Sequence, residues 1–399
     1  IMTDNNENKV LNVPHLRFPK FSGEWEICKV SELLDFYSTN SLSWEQLEYG
    51  EKAMMNLHYG LIHVGLPTMV DLRRDKLPNV KEGNMPKNFE LCKEGDVAFA
   101  DASEDTNEVA KVIELFNLDN KDIVCGLHTI HGRDNKNKTI VGFKGYAFSS
   151  SAFHNQIRRI AQGTKIYSIS TKNFSECYVG IPSKAEQTKI ATLLRLIDER
   201  IATQTKIIED LKKLKSAISL KMLHSDSWEQ FKIQDIASIG RGRVISSVEI
   251  SQQENPLYPV YSSQTSNDGI MGYLDDFMFE GEYISWTTDG ANAGTVFYRN
   301  GKFNCTNVCG LLKLKKGFDA HFVSLVLAEA TRMYVSTNLA NPKLMNNTMG
   351  NIQIRLPKLE EQKRISVVFR KLHGLLETHN SLIIKYSKQK QYLLSQMFI

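Results

Sequence analysis

At 399 residues, 42% hydrophobic and 24% charged, the chain has ordinary globular composition, and its length predicts two or three domains. It holds no run of eighteen apolar residues, which excludes a spanning helix, and its six cysteines lack the paired spacing of a zinc module. The formal net charge is +4, too little for a protein that grips nucleic acid by a broad basic field alone.

In chain order, MTDNNENKVLNV lacks the basic start and apolar centre of a signal peptide, so residues 1–13 are expected to be a disordered tail. With its scattered cysteines the chain is expected to be reduced and cytoplasmic. A first globular domain is expected over 14–180, opening on GEWEICKVSELLDF (23–36). In CKEGDVAFADASED (92–105), Gly95 marks a turn before a short β-rich run and a polar loop. The acids Asp96, Asp101, Glu104 and Asp105 read as solvated loop charge, since no partnered lysine motif supports a nuclease metal. GLHTI (126–130) leads into the basic loop HGRDNKNK (131–138), where His128 and His131 read as histidines satisfying local hydrogen bonds. KNFSECYVGIP (172–182) is a strand-like run that Pro182 stops.

The stretch IPSKAEQTKIATLL (181–194) opens a helix over 181–224. Its heptads place Leu194, Ile201, Ile208, Lys215 and Met222 at a, and Ile190, Ile197, Gln204, Leu211 and Ile218 at d. A second domain is expected over 225–355. It opens on DSWEQFKIQDIASI (226–239), aligning Trp228 with Trp25, and FEGEYISWTTDGAN (279–292) aligns Gly281 with Gly95. Over 356–399 the chain returns to LPKLEEQKRISVVF, offset by 175 from the first copy. The second helix repeats the register, with Phe369, Leu376, Ile383, Lys390 and Met397 at a, and Ile365, Leu372, His379, Tyr386 and Leu393 at d. Both seams carry polar residues at the same two places, which costs stability but fixes register. Neither helix can bury its stripe alone, so the two are expected to pair, antiparallel if a two-fold operation relates the halves. Each, at about 33 residues, would be roughly 50 Å long.

Charge follows the repeat. Residues 1–180 balance to −3 and 224–356 to −2, while 181–223 carry +4 and 357–399 carry +5. The chain is therefore a duplication with a constant frame, basic helices and divergent, slightly acidic globular inserts.

This frame resembles the specificity subunit of type I restriction-modification systems over nearly the whole chain. The pieces that carry the likeness are the two Pro-x3-Glu-Gln helix starts, GLHTI with its basic loop, and YPVYSS…GIMGYL…GANAGTVFYRNGKF (258–303). The glycine and asparagine density of that last stretch is what close approach of backbone to a ligand would require. The resemblance implies an α+β protein with two target-recognition domains, two long helices in an antiparallel coiled coil and pseudo-two-fold internal duplication. Each domain would read one half of a bipartite double-stranded DNA site, with the helices as a ruler; from the helix length, less tilt and overlap, half-site centres are expected about 10 base pairs apart. Methylation and cleavage would belong to partners: two methyltransferase subunits and restriction/translocase subunits.

A search for chemistry supports a non-catalytic chain. No phosphate-binding loop occurs; Asn341-Pro342-Lys343-Leu344 lacks the second proline and aromatic of adenine methyltransferases; GRGR (240–243) reads as an exposed basic turn; Cys305 and Cys309 read as core cysteines. No cofactor or metal is expected. Candidate DNA contacts are chosen by residue type on loops. In the first domain they are Arg133, Asn135, Lys136 and Lys138, with Asn155, Arg158 and Arg159 on a following helix. In the second they are Arg241, Arg243, Ser262, Ser263, Gln264, Thr288, Asn292 and Lys343, while Asp289 either accepts from a cytosine amine or caps a turn. Two rival readings are a coiled-coil scaffold without DNA recognition and a nuclease with its own active site. DNA binding measured with and without methyltransferase partners separates the first, and incubation with DNA and divalent metal the second.

Overall fold

The computed structural model describes residues 11–50, 54–336 and 341–399. Most of the tail expected at 1–13 lies outside the described residues; within it, the Asn12 carbonyl accepts from the Trp25 amide at 2.8 Å. The chain divides into two compact units, one built from the chain up to Thr205 with Asn380–Ile399, the other from Lys206–His379.

The repeated proline sets the same local event in both. The residue before a proline is confined to extended backbone, so Ile181 and Leu356 each end a strand. The proline cannot continue a ladder, and the helices Lys184–Met222 and Leu359–Gln396 begin two residues later. They run to 39 and 38 residues, longer than the heptad count suggests, because the turn carrying the Glu-Gln pair is already helical. Each incoming strand pairs antiparallel with the strand that opens its domain. Glu26–Lys29 lies on Tyr178–Ile181, and Glu229–Lys232 on Gln353–Leu356.

The glutamine of each motif then locks helix to domain. Gln187 and Gln362 are 0% and 1% exposed. Gln187 Nε2 donates to the Pro182 carbonyl at 2.9 Å and to the Lys138 carbonyl at 3.1 Å, and its Oε1 accepts from the Ile140 amide at 2.9 Å. Gln362 donates to the Pro357 carbonyl at 2.8 Å and accepts from the Asp319 amide at 2.9 Å. The neighbouring Glu186 adds a bidentate pair with Arg17, at 2.7 and 2.8 Å.

The globular parts share a sheet order. In the first unit a sheet runs Asp35–Tyr37, Thr129–Arg133, Val97–Ala100, Val112–Asn117, Met69–Asp71. In the second the matching order is Ala237–Arg241, Cys309–Leu314, Tyr283–Thr287, Val296–Arg299, without the fifth strand. Each has a second sheet holding one parallel pair: Asp122–Cys125 with Met54–Leu57, and Lys302–Cys305 with Tyr258–Tyr261. Gly95 and Gly281, aligned by sequence, both adopt left-handed backbone, φ +84° and +99°, and turn the chain into the central strand. That conformation favours glycine because it has no Cβ to clash.

Within each unit the helices pack antiparallel. In the first, Ile190, Leu194, Ile197 and Ile201 share a core with Tyr386, Leu393 and Met397, the C-terminal end of the second helix. In the second unit Ile218 and Met222 pack with Ile365 and Phe369. Ile208 and Leu372 are also buried, whereas Leu211, Leu376 and Ile383 are half-buried, so burial is uneven along the seam. The polar interruption at Lys390 has a definite partner: its Nζ lies 2.7 Å from Asp198 and 3.3 Å from Thr68 Oγ1. This contact fixes where one helix sits along the other.

At the base of the second unit, His321 Nδ1 lies 2.8 Å from Ser366 Oγ. Burial, then the charge of Arg370, lowers its pKa to about 4, with Asp319 opposing.

Two measurements check this base. Gln187→Ala and Gln362→Ala each strand buried backbone groups, so each should cost about 1–3 kcal/mol in urea unfolding. A loss at only one position would show that the motif has different roles in the two halves. His321 is held neutral when folded, so its contribution is complete above the unfolded pKa of about 6.5 and disappears as pH falls from there toward 4. Urea midpoints of the wild type should therefore drop more steeply across that window than those of His321→Gln.

Candidate nucleic-acid interface

The central strands of each unit end in a rim of loops. In the second unit the rim centres on the turn 306–308, between Lys302–Cys305 and Cys309–Leu314. Arg241, at the end of its strand, donates from Nη1 to the Asn307 carbonyl at 3.3 Å and from Nε to Asn346 Oδ1 at 2.9 Å. Arg243 pairs with Glu249 and donates its amide to the Cys305 carbonyl. The loop 288–294 joins through the Thr288 amide, which donates to the Val308 carbonyl at 3.3 Å. Lys343 arrives on the neighbouring segment, where the Leu344 amide donates to the Thr288 carbonyl at 2.8 Å. The loop Ser262, Ser263 and Gln264 follows Tyr261, whose carbonyl accepts from the Thr306 amide. The structure thus brings the sequence-predicted residues of this unit to one rim.

Two of them differ from expectation. Thr288 is 1% exposed and its hydroxyl donates to Val308, so it shapes the rim rather than facing outward. Gln264 donates to the Ile270 carbonyl and so holds its own loop, while Asn292 is exposed. Gly290 and Gly294 of this stretch serve turns: both are left-handed, at φ +89° and +84°.

The first unit builds the same rim from different side chains. Its turn 126–128 links Asp122–Cys125 to Thr129–Arg133. The Asp101 amide donates to the His128 carbonyl at 3.1 Å and the Ile169 amide to the Asp101 carbonyl at 3.0 Å, matching the Thr288 and Leu344 bonds. An isolated antiparallel bridge lies by each rim, Gln162 with Ser168 in one and Ser336 with Lys343 in the other. Exposed Arg158 reaches this rim, donating to Asn107 Oδ1 at 2.9 Å and to Asn155 Oδ1, with Arg159 beside it.

The basic loop lies elsewhere. Lys136, Lys138 and Asn135 follow the far end of strand Thr129–Arg133, about 13 Å from the turn at ~3.3 Å per residue. There Lys138 pairs with Glu26 at 2.5 Å, Lys136 donates to the Glu32 carbonyl, and Asn135 donates to Asp35 and Tyr37. They face the helix base, beside the Gln187 contacts.

Arg133 is the clearest correction. It is 6% exposed, and its guanidinium holds Asp96 with two bonds of 2.9 and 2.8 Å, Glu90 at 2.7 Å and the Leu91 carbonyl at 2.7 Å. A buried charge needs such pairing, which leaves the guanidinium no free donor face for DNA. Asp96, expected in a solvated loop, is 0% exposed. Burial pushes its carboxyl up, but His131, Arg133 and the Lys93 amide outweigh that and hold it below its usual range. Of the other acids, Asp101 contacts His128 at 3.2 Å and Asp105 caps its own turn by accepting from the Asn107 amide at 2.9 Å. Cys305 and Cys309 are buried, as expected of core cysteines. The structure adds Asn307, Asn346 and Asn107 to the rims, where they contact Arg241 and Arg158; the aligned turns were the available signal in the sequence.

Among the described residues no helix is long and apolar enough to cross a membrane.

Known proteins resemble this chain in sequence and fold. The family model for the type I restriction modification DNA specificity domain matches twice, over 75–213 and 225–385. A Mycoplasma pneumoniae chain described as a type I specificity subunit is 35% identical over 249 residues, 58% of this chain and 90% of the relative. The specificity subunit of the type I restriction enzyme MpnII, from the same organism, is 41% identical over 177 residues, 43% of this chain and 53% of that one. The crystal structure of a type I restriction-modification S subunit from M. genitalium superposes with TM-score 0.67 at 17% identity, covering 97% of this chain and 99% of the other. A chain from a study of complex assembly in the type I system gives 0.55 at 14% identity, covering 93% and 96%. Two matched domains, each ending in its half of a repeated helix frame, place the chain in the type I restriction-modification family as a non-catalytic DNA specificity subunit.

Proposed function

We propose that each unit reads one half of a bipartite duplex site with its loop rim. One observation carries this: the rims share backbone hydrogen bonds while their side chains differ, as two readers of different sequences require. In the second unit the readers are Arg241, Arg243, Ser262, Ser263, Asn292 and Lys343, with Asn307 and Asn346, while Gln264 holds the loop that carries the two serines. In the first they are Asn155, Arg158 and Arg159, with Asn107 and His128. Arginine and asparagine pair bidentately with guanine and adenine edges, and the same groups hold phosphates. Lys136, Lys138 and Asn135 act at the helix base, away from this reading face.

The recognition regions balance to −3 and −2, so they supply little of the phosphate neutralisation that drives non-specific affinity. Two methyltransferase subunits, docked on the basic outer faces of the helices, close round the duplex and supply that charge. Restriction/translocase subunits join the same assembly, which works in the cytoplasm.

Two experiments test the reading. With methyltransferase partners present, Arg241→Ala should weaken binding by about 1–3 kcal/mol and relax the sequence of one half-site only, by competition against site variants. Lys136→Ala should change affinity less than two-fold. Equal effects would move the reading face off the rim. Exchanging the region before Pro182 for that of a relative should change one half of the modified sequence, read by mapping methylated bases in cells. A change in both halves would show that the units do not read independently.

A further inference from the structure

Beneath the turn 126–128 of the first unit lies a cluster that DNA reading does not use. Cys92, Cys125 and His131 are 5%, 1% and 1% exposed, and one ligand atom from each lies within 4.8 Å of the others. The two sulfurs are 3.6 Å apart. That is far beyond the ~2.05 Å of a disulfide. It is close to the roughly 3.8 Å expected of two thiolates each ~2.3 Å from one tetrahedral zinc.

The imidazole supplies a second, independent observation. His131 Nε2 lies 2.7 Å from Asp96 Oδ2, and Arg133 holds Asp96 as a carboxylate. In its neutral form the ring donates from Nε2 and leaves a lone pair on Nδ1. That Nδ1 is buried with no hydrogen-bond partner. A buried nitrogen acceptor without a donor is costly, whereas a carboxylate holding the far nitrogen of a histidine is the usual outer support of a metal ligand.

We propose that Cys92, Cys125 and His131 Nδ1 bind one zinc ion. Two thiols lose their protons to solvent on binding, and the divalent ion neutralises the two thiolates. The fourth position is left to a water or to an oxygen donor. The ion clamps the strands Asp122–Cys125 and Thr129–Arg133 on either side of the turn, and ties Cys92 to both. No sequence spacing announces it, because Cys92 precedes Cys125 by 33 residues. The second unit lacks it: Cys305 matches Cys125, but Met278 and Leu311 occupy the places of Cys92 and His131, judged by the Met278 amide on the Phe303 carbonyl and Leu311 opposite Ser285.

The test uses the full chain and needs no DNA, so it stands or falls apart from the reading face. After zinc loading and gel filtration, elemental analysis should give one equivalent per chain. Cobalt(II) added to the metal-free wild type should produce a sulfur-to-cobalt charge-transfer band, a readout that needs no variant to fold. Cys92→Ala, Cys125→Ala and His131→Gln should each weaken zinc binding at least ten-fold, while Cys305→Ala leaves it unchanged. Absence of stoichiometric metal and of the cobalt band would overturn the proposal. So would metal binding insensitive to these three residues, or a Cys92–Cys125 disulfide in place of bound metal.

Discussion

A buried glutamine side chain holds each half of this molecule to its helix. Gln187 and Gln362 each reach back to the carbonyl of the proline that started the helix and accept an amide from the globular domain. Both partners are backbone groups, so the contact is indifferent to the side chains of the insert. That indifference lets one frame carry two unlike domains. The proline ends the strand, the helix begins, and the glutamine closes the angle between them; a domain need only deliver one amide to the right place. The glutamic acid beside it is less constrained: Glu186 is locked by Arg17, whereas Glu361 sits half-exposed in the second copy.

The rims follow the same logic at the opposite end of the strands. Backbone bonds from Asp101 and Ile169 recur at Thr288 and Leu344, so loop paths are shared between units while the side chains on them differ, Arg158 and His128 in the first unit and Arg241 and Lys343 in the second. Hydrogen bonds within the backbone set the shape, and side chains are left free to differ. A reader of two unrelated half-sites needs this separation of scaffold from specificity.

The frame was legible because it is written in periodicity. Two helices sharing register and polar interruptions announce pairing, and aligned Gly95 and Gly281 announce a common turn, since a left-handed backbone admits few residues. Individual contacts were less legible. Arg133 sits in a run of basic and polar residues that looks like an exposed loop, yet it ends a strand buried along its whole length and pairs with a distant Asp96. Composition of a segment cannot reveal a partner 37 residues away. Lys136 and Lys138 lie at the opposite end of a strand from the rim, because a five-residue strand carries the chain from there to the helix base. In the second unit the candidates came from several separate loops, and topology brought them together.

The fate of the cations explains the charge pattern. In the first unit Arg17, Lys29, Arg133, Lys138 and Lys144 all meet carboxylates of the same unit, so much of its basic complement serves internal structure. Lys144 is 3% exposed against fully buried Glu114, whose carboxyl burial pushes up while Lys144 and two glycine amides restrain it. Exposed ion pairs of this kind contribute little to stability, but buried ones cannot be released to a phosphate without leaving a charge unpaired. On the proposed reading, such a domain discriminates bases through a few rim groups without gripping the backbone strongly. Specificity and affinity are then carried by different surfaces. A chain that reads but grips weakly suits a subunit whose partners perform the chemistry, because stable residence on DNA then requires the assembled complex.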